Sequence, residues 1–311
     1  MRRRNFLKQL GVMSATPVLS SLPARYPTSR AAAELKLSLA QWSLHREIED
    51  GSLDPNDFAL AAISRYDLDA VEYVNSFYAM KAEDQKFWLE MRRRADDAGV
   101  KSLLIMVDEE GDLGDGNSGN RKTAVDNHHK WVDAAKILGC HSIRVNAFGS
   151  DQKDVFQEAM VDGLSRLVEY AAPESINILI ENHGLFSSDA QLIADIIDGV
   201  NHPNVGTLPD FGNWCLSAKW GSTQHDCDRA YDRYHGVAEF LPSAKAVSAK
   251  SYDFDADGRE TKIDYYKMLE MVKASDFEGY IGIEYEGQRL SEHEGILATK
   301  ALLEKVWNSL D

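Results

Sequence analysis

The stretch INILIENHG, residues 176–184, reads as a buried strand that ends in chemistry. Isoleucines at 176, 178 and 180 alternate with other residues, and then Glu181, Asn182 and His183 arrive together ahead of a glycine. Strand side chains alternate between two faces. Ile176, Ile178 and Ile180 therefore share one face, and Asn177, Leu179 and Glu181 share the other. Either the polar end caps a surface loop, or the strand delivers Glu181 to a site.

Seven further apolar runs share this plan: LKLSLAQW, AVEYV, KSLLIMV, SIRVN, VGTLPD, KAVSAK and YIGIEYEG. They end near Trp42, Tyr73, Val107, Asn146, Asp210, Lys250 and Glu284. With Glu181 these ends are spaced by about 29–40 residues, the length of one strand–helix unit. Helical periodicity fills residues 81–98, 126–138 and 155–170, and EGILATKALLEKVWNSL closes the series. Eight alternations predict an α/β fold, a (β/α)8 TIM barrel forming a single domain over residues 34–311. The alternative, an open doubly wound sheet, needs a glycine-rich first turn that AQWSLHREIEDG lacks. In a barrel the same parity turns Arg144, Asn146, Ser248, Lys250, Gly282 and Glu284 inward. All lie toward the C-terminal ends of their strands, where barrel sites are built.

The chain carries 34 Lys and Arg against 50 Asp and Glu, a net charge of −16. So acidic a surface repels phosphate backbones and disfavours nucleic acid as a partner. Residues 1–33 are set apart from the fold. RRRNFLKQLGVMSATPVLSSL has a basic start and an apolar run too short to span a bilayer. Arg3-Arg4-Asn5-Phe6-Leu7-Lys8 resembles a twin-arginine export signal, which implies an exported, periplasmic protein with no membrane segment once the signal is cleaved. An ordinary secretory signal or a basic tail is the plainer reading. Cys140, Cys215 and Cys227 are too few and odd in number for a disulfide framework; Cys215 and Cys227 could pair across a loop, but free thiols are the expectation.

Glu181, Asp210 and Glu284 would meet in one small pocket. Two carboxylates about 5 Å apart repel by roughly 3 kcal/mol at an effective dielectric near 20. Three such pairs demand a positive centre or retained protons. A divalent cation with oxygen ligands, the side chains of Lys250 and Arg144, or a structural ion-pair network would each serve.

INILIENHG, GTLPDFGNW and YIGIEYEG together resemble the xylose-isomerase-like sugar isomerase/epimerase superfamily of TIM barrels, over essentially all of residues 35–310. Ketose 3-epimerases, hydroxypyruvate isomerase and inosose dehydratases are members. The resemblance implies Mn²⁺ or Mg²⁺ held by Glu181, Asp210 and Glu284, with a fourth, histidine ligand in the seventh strand. That fourth position falls on Ser248, a much weaker ligand, so Lys250 is the rival source of positive charge. The implied chemistry is proton abstraction beside a sugar carbonyl, with Glu181 and Glu284 as base and acid. The exported location points to a non-phosphorylated sugar or keto-sugar. A lyase or hydrolase of keto-glycosides using the same first step is the second reading, and a non-catalytic sugar-binding barrel the third.

Further candidates to contact a sugar are Gln41, Trp42, His45, Glu72, Asp108, Arg144, Asn146, His183 and Asn213. Each also has a purely structural reading as a packing, capping or charge-balancing residue. Trp42 or Trp214 could stack on a sugar ring. Glu286, two residues past Glu284, is the rival for its ligand role. His128 and His129 are expected to face solvent on an amphipathic helix. Residues 108–120 depart from calcium-loop spacing and read as a long loop at the site, and residues 253–260 as a turn. Association into a homo-oligomer is compatible with the sequence but nothing in it requires one.

Overall fold

The computed structural model describes residues 34–310; the export-signal reading falls outside them. Eight parallel strands alternate with helices along the chain. The strands are β1 Leu37–Ala40, β2 Ala70–Val74, β3 Lys101–Val107, β4 Ser142–Asn146, β5 Asn177–Glu181, β6 Val205–Leu208, β7 Val247–Ser251 and β8 Ile281–Tyr285. The helices are α1 His45–Glu49, α2 Phe58–Tyr66, α3 Gln85–Asp97, α4 Ser118–Leu138, α5 Lys153–Ala171, α6 Ala190–Val200, α7 Arg233–Phe240, α8 Tyr265–Ala274 and α9 Glu292–Ser309. The sheet order is β6-β5-β4-β3-β2-β1-β8-β7. The ring closes between β6 and β7 through two isolated parallel bridges only, Thr207 with Ala244 and Asp210 with Ser248.

The parity read from the sequence places the core. Leu179 joins Ala40, Val74, Leu104, Met106, Leu208 and Ala246 in an apolar cluster, with Trp42 and Phe77 packed against it. One interior position is filled differently. Gly282 has no side chain, and a Cβ there would meet the Glu72 carboxylate at 2.7–2.9 Å. Glu72 is fully buried and takes the Ser38 hydroxyl at 2.6 Å.

Helix starts follow side-chain caps rather than periodicity alone. The expected helix from residue 81 begins at Gln85, because Asp84 accepts the Phe87 N–H and fixes the first turn there. Helix α4 begins eight residues before the expected 126, capped by Asn117 on the N–H groups of Gly119 and Asn120. It ends at Gly139 in the left-handed region. Its length corrects the reading of His128 and His129. His128 is buried and donates its Nδ1–H to the Ala124 carbonyl, while His129 stacks on Tyr170.

The cysteine expectation is also corrected. Cys215 and Cys227 form a disulfide across the long loop between β6 and α7, and Cys140 is free and buried. An odd count could not reveal this, since pairing depends on how the loop folds back. The loop packs on Gly184, whose φ of 93° and lack of a side chain admit the carbonyl of Ala218. Among the described residues no helix is long and apolar enough to cross a membrane.

Closing a loop of about 15 residues stabilises by about 3 kcal/mol in the chain-entropy treatment. Reduction of the disulfide is therefore expected to raise proteolysis and hydrogen exchange across residues 211–232 first, with the barrel's circular dichroism retained. Limited proteolysis with and without reductant checks this.

Candidate active site

The strands deliver a buried charge cluster to one end of the barrel. Glu181 ends β5, Glu284 lies in β8, Ser248 and Lys250 in β7, and Arg144 and Asn146 in β4. Asp210 lies just past β6 at the closing bridge to Ser248. Carboxylate oxygens of Glu181, Asp210 and Glu284 all lie within 4.8 Å of one another, and all three residues are buried.

In each of the three, one oxygen is committed to the protein. Asp210 Oδ1 accepts the N–H groups of Gly212 (2.7 Å) and Asn213 (2.8 Å). Glu284 Oε1 lies 3.0 Å from Lys250 Nζ. Glu181 Oε1 accepts from Asn213 Nδ2 at 3.3 Å. Asn182 holds the Asp210 segment in place, accepting its N–H at 2.7 Å and donating to its carbonyl at 3.0 Å.

The remaining oxygens converge. Asp210 Oδ2 and Glu284 Oε2 each meet Ser248 Oγ at 2.6 Å. A serine has one hydroxyl proton, so it donates to one of them. The other contact needs a protonated carboxyl or a cation. Glu181 Oε2 lies 2.8 Å from Arg144 Nε, yet off the line of a hydrogen bond, so this contact is Coulombic and the oxygen has no donor.

Two positive groups face the cluster. Lys250 is 1% exposed and also pairs with Glu286 at 2.8 Å and, more distantly, with Asp210 at 3.9 Å. Arg144 donates to Asp108 at 2.6 Å. Burial would weaken the Lys250 ammonium, but Glu284, Glu286 and Asp210 outweigh it and raise its pKa well above the usual lysine value. Two cations against Asp108, Glu181, Asp210, Glu284 and Glu286 leave an excess of negative charge. Burial accordingly pushes Asp210 up to about 7 despite Lys250, and pushes Glu181 well above the usual carboxylate range despite Arg144. Asp108 differs: burial would raise it, but Arg144 dominates and holds it at about 2.

His183 Nδ1 lies 2.7 Å from Asn146 Oδ1, and Asn146 donates its amide to Asp108 at 2.6 Å. With Asn146 presenting its oxygen, Nδ1 carries the proton and Nε2 is left as an acceptor. Burial, then Arg144, depresses the His183 pKa well below 6.5, so the ring is neutral.

Of these groups Asp108, Arg144, His183, Glu284 and Glu286 border a cavity of about 380 Å³, lined also by Trp42, Val74, Ser76, Met106, Glu109, Trp220 and Ser222, while Glu181, Asp210 and Lys250 are not among its lining residues. Of the residues expected to contact a sugar, Trp42, Asp108, Arg144 and His183 border it directly. Asn146 and Asn213 stand behind, orienting His183 and Glu181. The structure places three others elsewhere. Gln41 is buried, bonding Tyr78 and the Val74 N–H. His45 stacks on Trp42 and faces Glu292. Glu72 is enclosed below the site, pushed by burial to about 7. Trp214 is wholly buried against Tyr231 and Phe240. Glu286 takes Lys250 rather than joining the three-carboxylate group.

Ser76, Trp220 and Ser222 were not legible as site residues. Trp220 lies in the disulfide-closed loop, edge-on to His183, with Lys219 over its ring. Its φ of 70° and the 61° of Glu109 are uncommon for residues with side chains. Such backbone, at about 1–3 kcal/mol each, gathers at functional sites. A tryptophan beside a glycine in a polar loop was the one available signal.

The buried Glu181–Asp210–Glu284 group could hold a metal ion. Three carboxylate oxygens free of backbone donors suit a hard divalent cation. Asn213 Oδ1 is likewise buried without a donor beside them.

Residues 60–306 match the family model of the xylose isomerase-like TIM barrel. The chain belongs to that family. Membership makes it an enzyme of the sugar isomerase and epimerase class. No curated protein sequence matches it significantly. Among solved structures it is similar to D-psicose 3-epimerase from Clostridium cellulolyticum H10, solved with D-tagatose, at 13% identity. That match has a TM-score of 0.65 and covers 89% of this chain and 100% of the other. A 3-keto-D-glucoside 4-epimerase from E. coli matches at 13% identity and 0.63, covering 88% and 100%. The IolI protein, solved with a binding zinc atom, matches at 14% and 0.65, covering 89% and 99%. At these identities the likeness is one of fold.

The excess negative charge has a measurable cost. Burial pushes Asp210 up to about 7, against an ordinary aspartate value of about 3.9 in the unfolded chain. Between those values the native state keeps a proton that the unfolded chain has lost, so stability falls as pH rises from about 4 to 7. In chelator-treated protein, Asp210→Asn is expected to flatten that slope. It should raise the thermal midpoint at pH 8 by at least about 2–4 °C, the effect of 1 kcal/mol in a large domain. Calorimetry across this pH range checks both.

Proposed function

We propose that this enzyme moves a proton at the carbon next to the carbonyl of a non-phosphorylated sugar or keto-sugar. The observation that carries the reading is the cavity wall. It presents Asp108, Glu109, Glu284 and Glu286 against one guanidinium, Arg144, already flanked by Asp108 and Glu181. A phosphate dianion would meet four carboxylates and no uncommitted cation among the residues lining the cavity. A neutral polyol meets hydrogen-bond acceptors and the rings of Trp42 and Trp220.

Glu181 and Glu284 are delivered from separate strands and carry the proton chemistry. Burial and neighbouring negative charge raise Glu181 well above the usual carboxylate range, which strengthens it as a proton acceptor. His183 offers Nε2 to a sugar hydroxyl and cannot compete as an acid, because its remaining proton is held by Asn146. Lys250 keeps Glu284 oriented and balances the negative charge. Trp42 and Met106 present apolar surface that excludes water from the reacting carbon. When a divalent cation such as Mn²⁺ or Mg²⁺ is held by Glu181, Asp210 and Glu284, it supplies Lewis-acid polarisation of the carbonyl. Return of the proton to the opposite face gives an epimer; return to the neighbouring carbon gives an isomer.

Incubation of free ketohexoses and 3-keto-glucosides in deuterated buffer should give enzyme-dependent deuterium incorporation beside the carbonyl. Glu181→Gln and Glu284→Gln should each lower that exchange by about 10²–10⁴-fold. Undiminished exchange in both variants overturns the assignment. Release of an aglycone in the same assay would assign elimination from a keto-glycoside, which begins with the same step.

Export is part of this reading. The Cys215–Cys227 disulfide supports an oxidising compartment. Replacing Arg3 and Arg4 together by Lys is expected to keep the protein in the cytoplasm. Fractionation of the expressing cells is the measurement.

A further inference from the structure

We propose that Ser248 sets the cation preference of the site, giving an all-oxygen centre in which Zn²⁺ loses most of its usual advantage over Mg²⁺ and Mn²⁺. This rests on the reading that Glu181, Asp210 and Glu284 hold a cation. Ser248 Oγ stands 2.6 Å from both Asp210 Oδ2 and Glu284 Oε2, so the side chain at 248 occupies the donor position between two of the three carboxylates. Its single proton cannot serve both, and a cation drawing the oxygens together satisfies the geometry without it.

The atoms left without donors are oxygens as well: Glu181 Oε2 and the Asn213 Oδ1 carbonyl, on residues 2% and 1% exposed. Nitrogen donors lie outside the group, and the free Nε2 of His183 is not among the atoms gathered there. Lys250 is spent on Glu284 and Glu286. His183, the imidazole beside Glu181, has its Nδ1 on Asn146 and 3.9 Å from Glu181 Oε2. Among the described residues no histidine or cysteine joins the group able to hold an ion. Oxygen-only shells suit Mg²⁺ and Mn²⁺, whereas imidazole and thiolate draw Zn²⁺. A hydroxyl at 248 therefore removes the usual advantage of zinc.

Chelator-stripped wild-type protein, Ser248→His and Ser248→Ala are titrated with MnCl₂, MgCl₂ and ZnCl₂ by calorimetry, with manganese binding read independently by its paramagnetic resonance signal. Wild type is expected to bind one Mn²⁺ per chain, with Zn²⁺ tighter by less than about tenfold. Ser248→His should raise the zinc-to-manganese affinity ratio by about tenfold or more. Ser248→Ala should weaken Mn²⁺ by about tenfold, within the range for residues that tune a metal's ligands. A ratio unchanged in folded Ser248→His overturns the proposal. Should that variant not fold, unchanged Mn²⁺ affinity in Ser248→Ala does so. Absence of any divalent binding by wild type also overturns it, and leaves the proton-transfer reading to deuterium exchange run in chelator.

Discussion

The structure turns on the uncompensated negative charge at the C-terminal end of the barrel. Glu181, Asp210 and Glu284 are buried within a few ångströms of one another, and Arg144 and Lys250 offset only part of their charge. Such an arrangement is not there for stability, because buried carboxylates cost more than their ion pairs return. It persists because the surrounding elements over-determine it. Asp210 is pinned by two backbone N–H groups and Asn182, Glu181 by Asn213, and Glu284 by Lys250. The same excess charge raises the affinity of the carboxylates for protons and for cations alike, which links acid–base chemistry to cation binding in one constellation.

A second layer distributes tasks between the two positive residues. Arg144 touches Asp108 and Glu181, and through Asn146 it is coupled to His183. Lys250 touches Glu284 and Glu286 on the other flank. The guanidinium side of the cavity is thereby kept acidic at Asp108 and neutral at His183. The ammonium side keeps one oxygen of Glu284 turned away from the three-carboxylate group. Two carboxyl groups of similar kind are placed in different electrostatic surroundings, and this is the usual origin of distinct acid and base roles.

Much of this was legible in the sequence, and for a definite reason. A parallel barrel buries both faces of its strands, so alternation within short apolar runs marks which residues turn inward. INILIE and YIGIEYEG placed Leu179, Glu181 and Glu284 by parity alone. What parity cannot show is loop geometry. Trp220 and Ser222 reach the cavity because the segment after β6 folds back over Gly184 and is stapled by a disulfide, and neither event has a periodic signature. Nor does parity tell depth along a strand: Glu72 points inward like Glu284 but lies one layer lower, beneath Gly282, where the cavity does not reach. Gln41 and His45 failed as contacts because the turn after β1 tightens into short helices that swing them toward Tyr78 and Glu292.

The seam between β6 and β7 gives the site a second role. Adjacent staves elsewhere pair as parallel strands, whereas here the join is made by two isolated bridges, one of them Asp210 with Ser248. Residues of the buried carboxylate cluster thus also fasten the last hoop of the cask. Drift at position 248 would be felt at once in the carboxylate cluster and in the closure of the ring.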